Sequence, residues 1–257
     1  MLSKNKQKYV RSLHQKKYRD NYAVFVAEGP KIVLDLYGFF PCQLLLATKQ
    51  FIAAHPHLHA KEIIEINQNE LEQVSALTSP RDVLAVFEKE RLAKDESVVD
   101  SPTLQPLILA LDGIQDPGNL GTIIRLADWY GIRDIYCSRA CADVFASKVV
   151  QATMGALARV AIHYVDLVEY LSSQLGKQPI YGTFLDGDDL YQMDLTPGGI
   201  LVMGNEGNGI SDEVRDLVNR KLYIPNYPQG QDTSESLNVA IATAITCAEI
   251  RRQGITR

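Results

Sequence analysis

The chain has 257 residues, 46% of them hydrophobic and 22% charged, with a formal net charge of −5. That length favours two compact units over one, and the composition is that of an ordinary soluble globular protein. No apolar run approaches the roughly 18 residues of a membrane span, and the opening MLSKNKQKYVRSLHQKKYRD lacks the apolar core of a secretory signal. No membrane role is expected, and the cytoplasm is the expected compartment.

The charge is unevenly placed. Lys4, Lys6, Lys8, Arg11, Lys16, Lys17 and Arg19 stand in the first 19 residues with no acid, so the other 238 residues sum to −12. Interleaved with Tyr9, His14 and Tyr18, this segment suits a polyanion, because cations neutralise phosphates and aromatic rings stack on unpaired bases. A solvated helical face is the equal alternative.

After this basic helix, YAVFVA (22–27) alternates as a strand, and Pro30 opens a helix that places Ile32, Val33 and Leu36 on one face. QLLLAT (43–48) and KEIIEIN (61–67) read as strands, NELEQVSAL (69–77) as a helix and DVLAVFEK (82–89) as a strand. Residues 91–106 lose apolar periodicity and gain charge, Ser and two prolines. The expected organisation is a first domain at 1–93, a linker at 94–106 and a second domain at 107–257.

In the second domain LILALD (107–112), DIYCS (134–138), RVAIHYV (159–165), QPIYGTFL (178–185), GILVMG (199–204) and KLYIP (221–225) read as buried strands with helical patterns between most of them. This predicts a parallel α/β domain with ligands at the carboxyl ends of its strands. HPHLH (55–59) reads as a loop rather than a metal site, and Cys137 and Cys141, spaced C-x3-C, as small buried thiols. No metal is expected.

Three loops concentrate polar residues. In DGIQDPGNLGTIIRLADWYGI (112–132), Asp116 and Pro117 make a turn, Asn119 can cap the helix, and Arg125 lies among apolar neighbours, with Asp128 as a possible ion-pair partner. In MGNEGNGIS (203–211) the glycines are spaced GxxGxG, the reverse of a dinucleotide fingerprint. Ser211, Asp212 and Glu213 there begin a helix whose positive end is already used. In YIPNYPQGQDTSESLNVAIATAITCAEIRRQG (223–254), Ser234 or Ser236 can cap a helix with Asn238 in its first turn. Leu237, Ile241, Ala244, Ile245 and Ala248 form its apolar stripe. Trp129, the only tryptophan, suits an interface or the core equally.

In order, spacing and residue identity these three segments resemble the three motifs of the SpoU (TrmH-like) RNA methyltransferases of the SPOUT superfamily. The N-terminal unit, through NYAVFVAEGPKIVLDL (21–36) and its basic start, resembles the substrate-recognition domain often fused to that family, a small α/β sandwich similar to RNA-binding ribosomal proteins. The resemblance implies a C-terminal parallel α/β domain with a deep trefoil knot, a homodimer formed through that domain, and S-adenosyl-L-methionine as cofactor. The reaction it implies is transfer of a methyl group to an RNA ribose 2′-hydroxyl.

Carried over to this sequence, Arg125, Asn119, Glu206, Ser236 and Asn238 are the expected catalytic residues. Met203, Gly204, Asn208, Gly209, Ile224 and Leu237 are expected at the cofactor, and the basic residues from Lys4 to Arg19 at the RNA. Arg125 is expected to orient a phosphate and lower the hydroxyl's pKa, since a guanidinium stays protonated, with phosphate or water taking the proton. Glu206 is expected to hold Arg125 or the motif backbone, a purely structural role being its equal alternative. The segment 226–235 is longer than usual for the family, Asn226 stands where Met is common, and Ala240 where Ser is common. Ribosomal RNA is the favoured substrate. Transfer-RNA 2′-O-methylation, base methylation and a non-catalytic RNA-binding relative are the rivals, and a nicotinamide oxidoreductase is disfavoured for want of GxGxxG.

Overall fold

The computed structural model describes residues 2–92, 106–228 and 236–255. The chain forms two compact units, Met1–Val98 with Asp143–Ala158, and Val99–Ala142 with Arg159–Arg257. The expected linker at 94–106 lies outside the described residues except for Pro106. Among the described residues no helix is long and apolar enough to cross a membrane.

The first unit runs α1 (Lys4–Ser12), α2 (Lys16–Tyr22), β1 (Val24–Glu28), α3 (Pro30–Leu36), β2 (Cys42–Ala47), α4 (Lys49–Ala54), β3 (Glu62–Glu65), α5 (Gln68–Val74) and β4 (Val83–Glu88). Its sheet has the order β1-β4-β2-β3. The strand β4 is antiparallel to β1 and β2, and β3 is parallel to β2. Val10 and Leu13 pack with Val24, Val26, Leu44, Leu46, Leu84 and Val86 in one core, as the apolar runs of these strands predict. Local chemistry fixes the helix starts. The Ser3 hydroxyl accepts from the Lys6 amide at α1, and Asn67 and Glu70 form a reciprocal capping box at α5.

The basic start divides into two groups. Lys4, Lys8 and Lys17 are exposed, whereas Lys6 pairs with Glu62, Arg11 donates to the Gln73 carbonyl and Lys16 pairs with Asp20 at 2.8 Å. Lys16, and then Lys89, hold the Asp20 carboxyl down at about 2. Arg19 departs from the expectation of an RNA contact, since it is only 2% exposed. Its Nη1 donates to the Leu13 and His14 carbonyls at 2.9 and 2.8 Å, and its Nη2 to Asp143 Oδ2 at 2.6 Å. A guanidinium sealed this way serves the core.

The second unit contains β5 (Leu107–Leu111), α6 (Pro117–Trp129) and β6 (Asp134–Ser138). The chain then contributes Asp143–Ala158 to the first unit, with α7 (Ser147–Ala152) and a 3₁₀ turn at Ala156–Ala158. There the Phe145 ring lies 4.8 Å from that of Phe25, which also meets Phe40 and Phe87. The second unit resumes with β7 (Ala161–Val165), α8 (Leu167–Gln174), β8 (Ile180–Asp189), β9 (Gly199–Met203), α9 (Asp212–Arg215), β10 (Arg220–Tyr223) and α10 (Val239–Ile255). Its six strands have the order β10-β8-β9-β5-β6-β7, and every pairing is parallel. The central β9 is buried along its whole length, as expected of a sheet covered on both faces.

The face that α10 buries is displaced from the one its apolar pattern predicts, Ala244 and Ile245 being half-buried. Val239, Ala240, Thr243, Thr246, Cys247 and Ile250 are buried, while Ile241 is 53% and Leu237 48% exposed and Ala248 is exposed. The threonines are compatible with burial because each hydroxyl donates one turn back, Thr243 to the Val239 carbonyl at 2.7 Å and Thr246 to that of Ala242 at 2.9 Å. Arg19→Met leaves the largely covered Asp143 carboxylate, 14% exposed, without its partner, and urea unfolding is expected to show a loss of about 3 kcal/mol, with the exposed Lys17→Met within about 0.5 kcal/mol of wild type.

Candidate active site

Three loops meet at the carboxyl ends of β5, β9 and β10. The first begins at Gly113, whose φ of +69° favours glycine. It ends at Asp116, whose side chain accepts from the Asn119 amide at 2.8 Å, with Pro117 as the first helical residue. Asp116, rather than Asn119, therefore caps α6, and this frees the Asn119 side chain. Two hydrogen bonds use it. Asn238 Nδ2 donates to Asn119 Oδ1 at 3.0 Å, and Asn119 Nδ2 donates to Glu206 Oε1 at 3.0 Å.

Asn238 is itself the cap of α10, its Oδ1 accepting from the amides of Ala240 at 3.0 Å and Ile241 at 3.3 Å. Ser236 is exposed, and Ser234 lies outside the described residues. One residue from each loop thus joins a single line of polar bonds. Arg125 stands apart from that line. It is exposed and, among the described residues, has no hydrogen-bond or ion-pair partner, so the expected pairing with Glu206 does not form. The alternative partner Asp128 is taken by Arg159, in a forked contact at 2.8 to 3.0 Å.

The second loop folds back tightly on itself. A Cβ placed on Gly204 would lie 2.3 Å from the Gly209 carbonyl carbon and the Ile210 nitrogen, closer than any side chain permits. Ser211 opens α9 without a side-chain cap, because its amide and hydroxyl both donate to Asp112 Oδ2, at 2.8 and 2.7 Å. The Ser211 amide, one of the N-terminal donors of this helix, is thereby occupied.

Beside the loops is a cleft of about 840 Å³, within the usual range for a small-molecule site. Met203, Gly204, Asn208, Gly209, Ile224 and Leu237 all line it, as do Glu206 and Ser236. One wall was not legible as such in the sequence. Lys221 of β10 pairs with Gly182, but Leu222 pairs with Asp188, so residues 183–187 leave the ladder and Thr183, Phe184, Leu185 and Asp186 face the cleft. Arg215 and Lys221 hold this excursion through Asp186, at 2.6 and 3.3 Å, and stand 4.9 and 5.4 Å from the centre of the Phe184 ring.

Behind the first loop, Cys141 Sγ accepts from the Ile114 amide at 3.3 Å and can donate to the Leu111 carbonyl at 3.2 Å. The Cys137 thiol, with Ser138 and the loop amides, pulls Cys141 down to about 7 against desolvation, while the same contact and burial push Cys137 up. Both are free thiols. Among the described residues no group of three or more His, Cys, Asp or Glu could hold a metal ion.

Residues 4–85 match an MRM3-like substrate binding domain. The 23S rRNA (guanosine(2553)-2'-O)-methyltransferase RlmP of Bacillus subtilis is 28% identical over 246 residues, which cover 94% of either chain. A TrmH-family structure from Porphyromonas gingivalis is 42% identical, with a TM-score of 0.85, covering 98% of this chain and 99% of that one. An AdoMet-bound rRNA methyltransferase from Sinorhizobium meliloti is 30% identical, with a TM-score of 0.81, covering 98% and 97%. Residues 106–248, which span all three loops and more than half of the chain, match the SpoU rRNA Methylase family, and the chain belongs to that family.

Proposed function

We propose that this chain is an S-adenosyl-L-methionine-dependent methyltransferase acting in the cytoplasm on a ribose 2′-hydroxyl of ribosomal RNA. The observation that carries the reading is the Asn238–Asn119–Glu206 line of hydrogen bonds at a cleft lined by the six residues expected at the cofactor. The cleft suits a ligand without phosphates. A carboxylate, Glu206, lies on its wall, which favours a cation over a phosphate.

S-adenosylmethionine held there supplies an electrophilic methyl group on a sulfonium, transferred by in-line displacement, which leaves positioning and charge stabilisation to the protein. Met203, Ile224 and Leu237 give apolar walls, and the Gly204–Gly209 backbone gives polar edges. Glu206 orients Asn119, and Asn119 and Asn238 each keep one N–H for the reacting nucleotide. Arg125, exposed and charged, holds the RNA phosphate and lowers the pKa of the attacking hydroxyl, with phosphate or water accepting its proton. The exposed Lys4, Lys8 and Lys17 belong to the RNA-contacting surface of the N-terminal unit.

Family membership also supports a deep trefoil knot and a homodimer formed through the C-terminal domain. The apolar stripe that α10 leaves in solvent, with Leu237 and Ile241 about half exposed, and the 83% exposed Trp129 are the surfaces we assign to that dimer. Trp129 and Arg125, one turn apart, share a face of α6, so a partner seated there also borders the reacting groups.

Calorimetry is expected to show one S-adenosylmethionine site per chain and no NAD binding, and a map of 2′-O-methyl positions in ribosomal RNA is expected to lose one site when the gene is deleted. Gly204→Ala must displace the Gly209–Ile210 backbone, and the same titration is expected to lose the cofactor signal while the fold loses about 1–3 kcal/mol. Arg125→Lys keeps the charge without the planar fork, so methyl transfer should fall by about 100-fold at unchanged cofactor affinity. Wild-type rates in that variant would contradict the role given to Arg125. Ile241→Glu should convert the dimer to monomer in sedimentation velocity, whereas a monomeric wild type would remove the dimer from the proposal.

A further inference from the structure

Asn205 belongs to the second loop and lines the cleft, and its side chain bonds in two directions. Its Oδ1 accepts from the amides of Gly207 at 2.9 Å and Asn208 at 3.0 Å, while its own N–H and C=O pair with Gly209 at 2.8 and 2.9 Å. This half closes the second loop on itself. The other half points away from that loop, with Nδ2 donating to the Gly113 carbonyl at 2.7 Å, 92 residues back along the chain.

Gly113 is held on its far side as well, since its amide donates to Ser138 Oγ at 2.9 Å. Three residues further on, Asp116 caps the helix that presents Asn119. Glu206, the acceptor for Asn119, directly follows Asn205. A single amide group therefore spans the two chain segments that must meet for the Asn119–Glu206 bond to form.

We propose that Asn205 is a positioning residue. Its acceptor half shapes the cofactor loop, and its donor half sets the start of α6 against that loop, so that Asn119 and Glu206 meet in the orientation methyl transfer needs. The inference rests on the methyltransferase reading above and adds to it a division of labour within one side chain. A displacement of about 1 Å between reacting groups costs on the order of 100-fold in rate, so losing the donor half should slow transfer without emptying the cleft.

Asn205→Asp separates the two halves. The substituted carboxylate still accepts from the Gly207 and Asn208 amides but cannot donate to Gly113, and it repels that carbonyl. Only its protonated form carries an O–H that can donate to the Gly113 carbonyl, so acidification restores a donor. The test uses the full chain, calorimetry with S-adenosylmethionine, and single-turnover transfer to ribosomal RNA from cells lacking the gene. The expected result is a cofactor Kd within about threefold of wild type and a rate near neutral pH lower by about 100-fold. Relative to wild type, that loss should shrink as the pH falls into the ordinary aspartate range, about 4.

Asn205→Ser, whose hydroxyl accepts locally but is too short to reach Gly113, should show the same split without the recovery at low pH, and it carries the test should the aspartate variant fail to fold. A folded variant with wild-type transfer overturns the proposal, as does a rate loss matched by an equal loss of cofactor affinity and indifferent to pH. If the wild-type chain itself neither binds S-adenosylmethionine nor methylates RNA, the methyltransferase reading falls first and the role of Asn205 with it.

Discussion

The site depends on the pairing of two strands some ninety residues apart in sequence. Leu107 to Leu111 of β5 lie in parallel register beside Gly199 to Met203 of β9, at the point where the sheet order reverses. On one side the chain proceeds through β6 and β7, and on the other lie β8 and β10. Parallel neighbours release their chains at the same edge, and a reversal point leaves a crevice there that no connection covers. The ladder runs one bond further, from the Asp112 amide to the Met203 carbonyl at 2.9 Å. Asn205 and Ser211 then fasten the two loops as they leave the sheet.

Two arginines show how position decides what the same side chain does. Arg19 is closed in by two carbonyls and one carboxylate, and a charge so placed is retained only while every partner stays. Arg125 is exposed, and the acid one turn away, Asp128, is engaged by Arg159. Water solvates its charge at little cost, and an RNA phosphate can replace that water. The long side chain of Arg159 thus keeps Asp128 from quenching the group on which the proposed chemistry relies.

Much of this was legible in the sequence because the relevant forces are local or periodic. Buried parallel strands read as continuous apolar runs, and all of the predicted strands formed within a few residues of their expected bounds. Loops reveal themselves through Gly, Pro and Asn. Asn119 is the expected cap of α6, whereas Pro117 at the first helical position already points to Asp116. The buried face of α10 was hidden because threonine counts as polar until its hydroxyl finds the preceding turn. Arg19 and Asn205 escaped for another reason. Their partners, Asp143 and Gly113, lie 124 and 92 residues away, and no pattern along the chain reports such a distance. The excursion at 183–187 lies inside the strand β8, and only its loss of register with β10, a pairing between distant segments, is hidden from the sequence.

The membership of Asp143–Ala158 in the first unit has a consequence during synthesis. Translation at about 5–20 residues per second completes β4 well before it reaches Asp143 and Phe145. For several seconds, on the order of the interval needed to polymerise the intervening residues, Arg19 has no carboxylate and the Phe25 cluster lacks one of its rings. The nascent N-terminal half therefore emerges with its guanidinium and its aromatic face still open. It closes only after β5, α6 and β6 have been made, which links completion of the N-terminal unit to production of the strands that carry the first loop of the cleft.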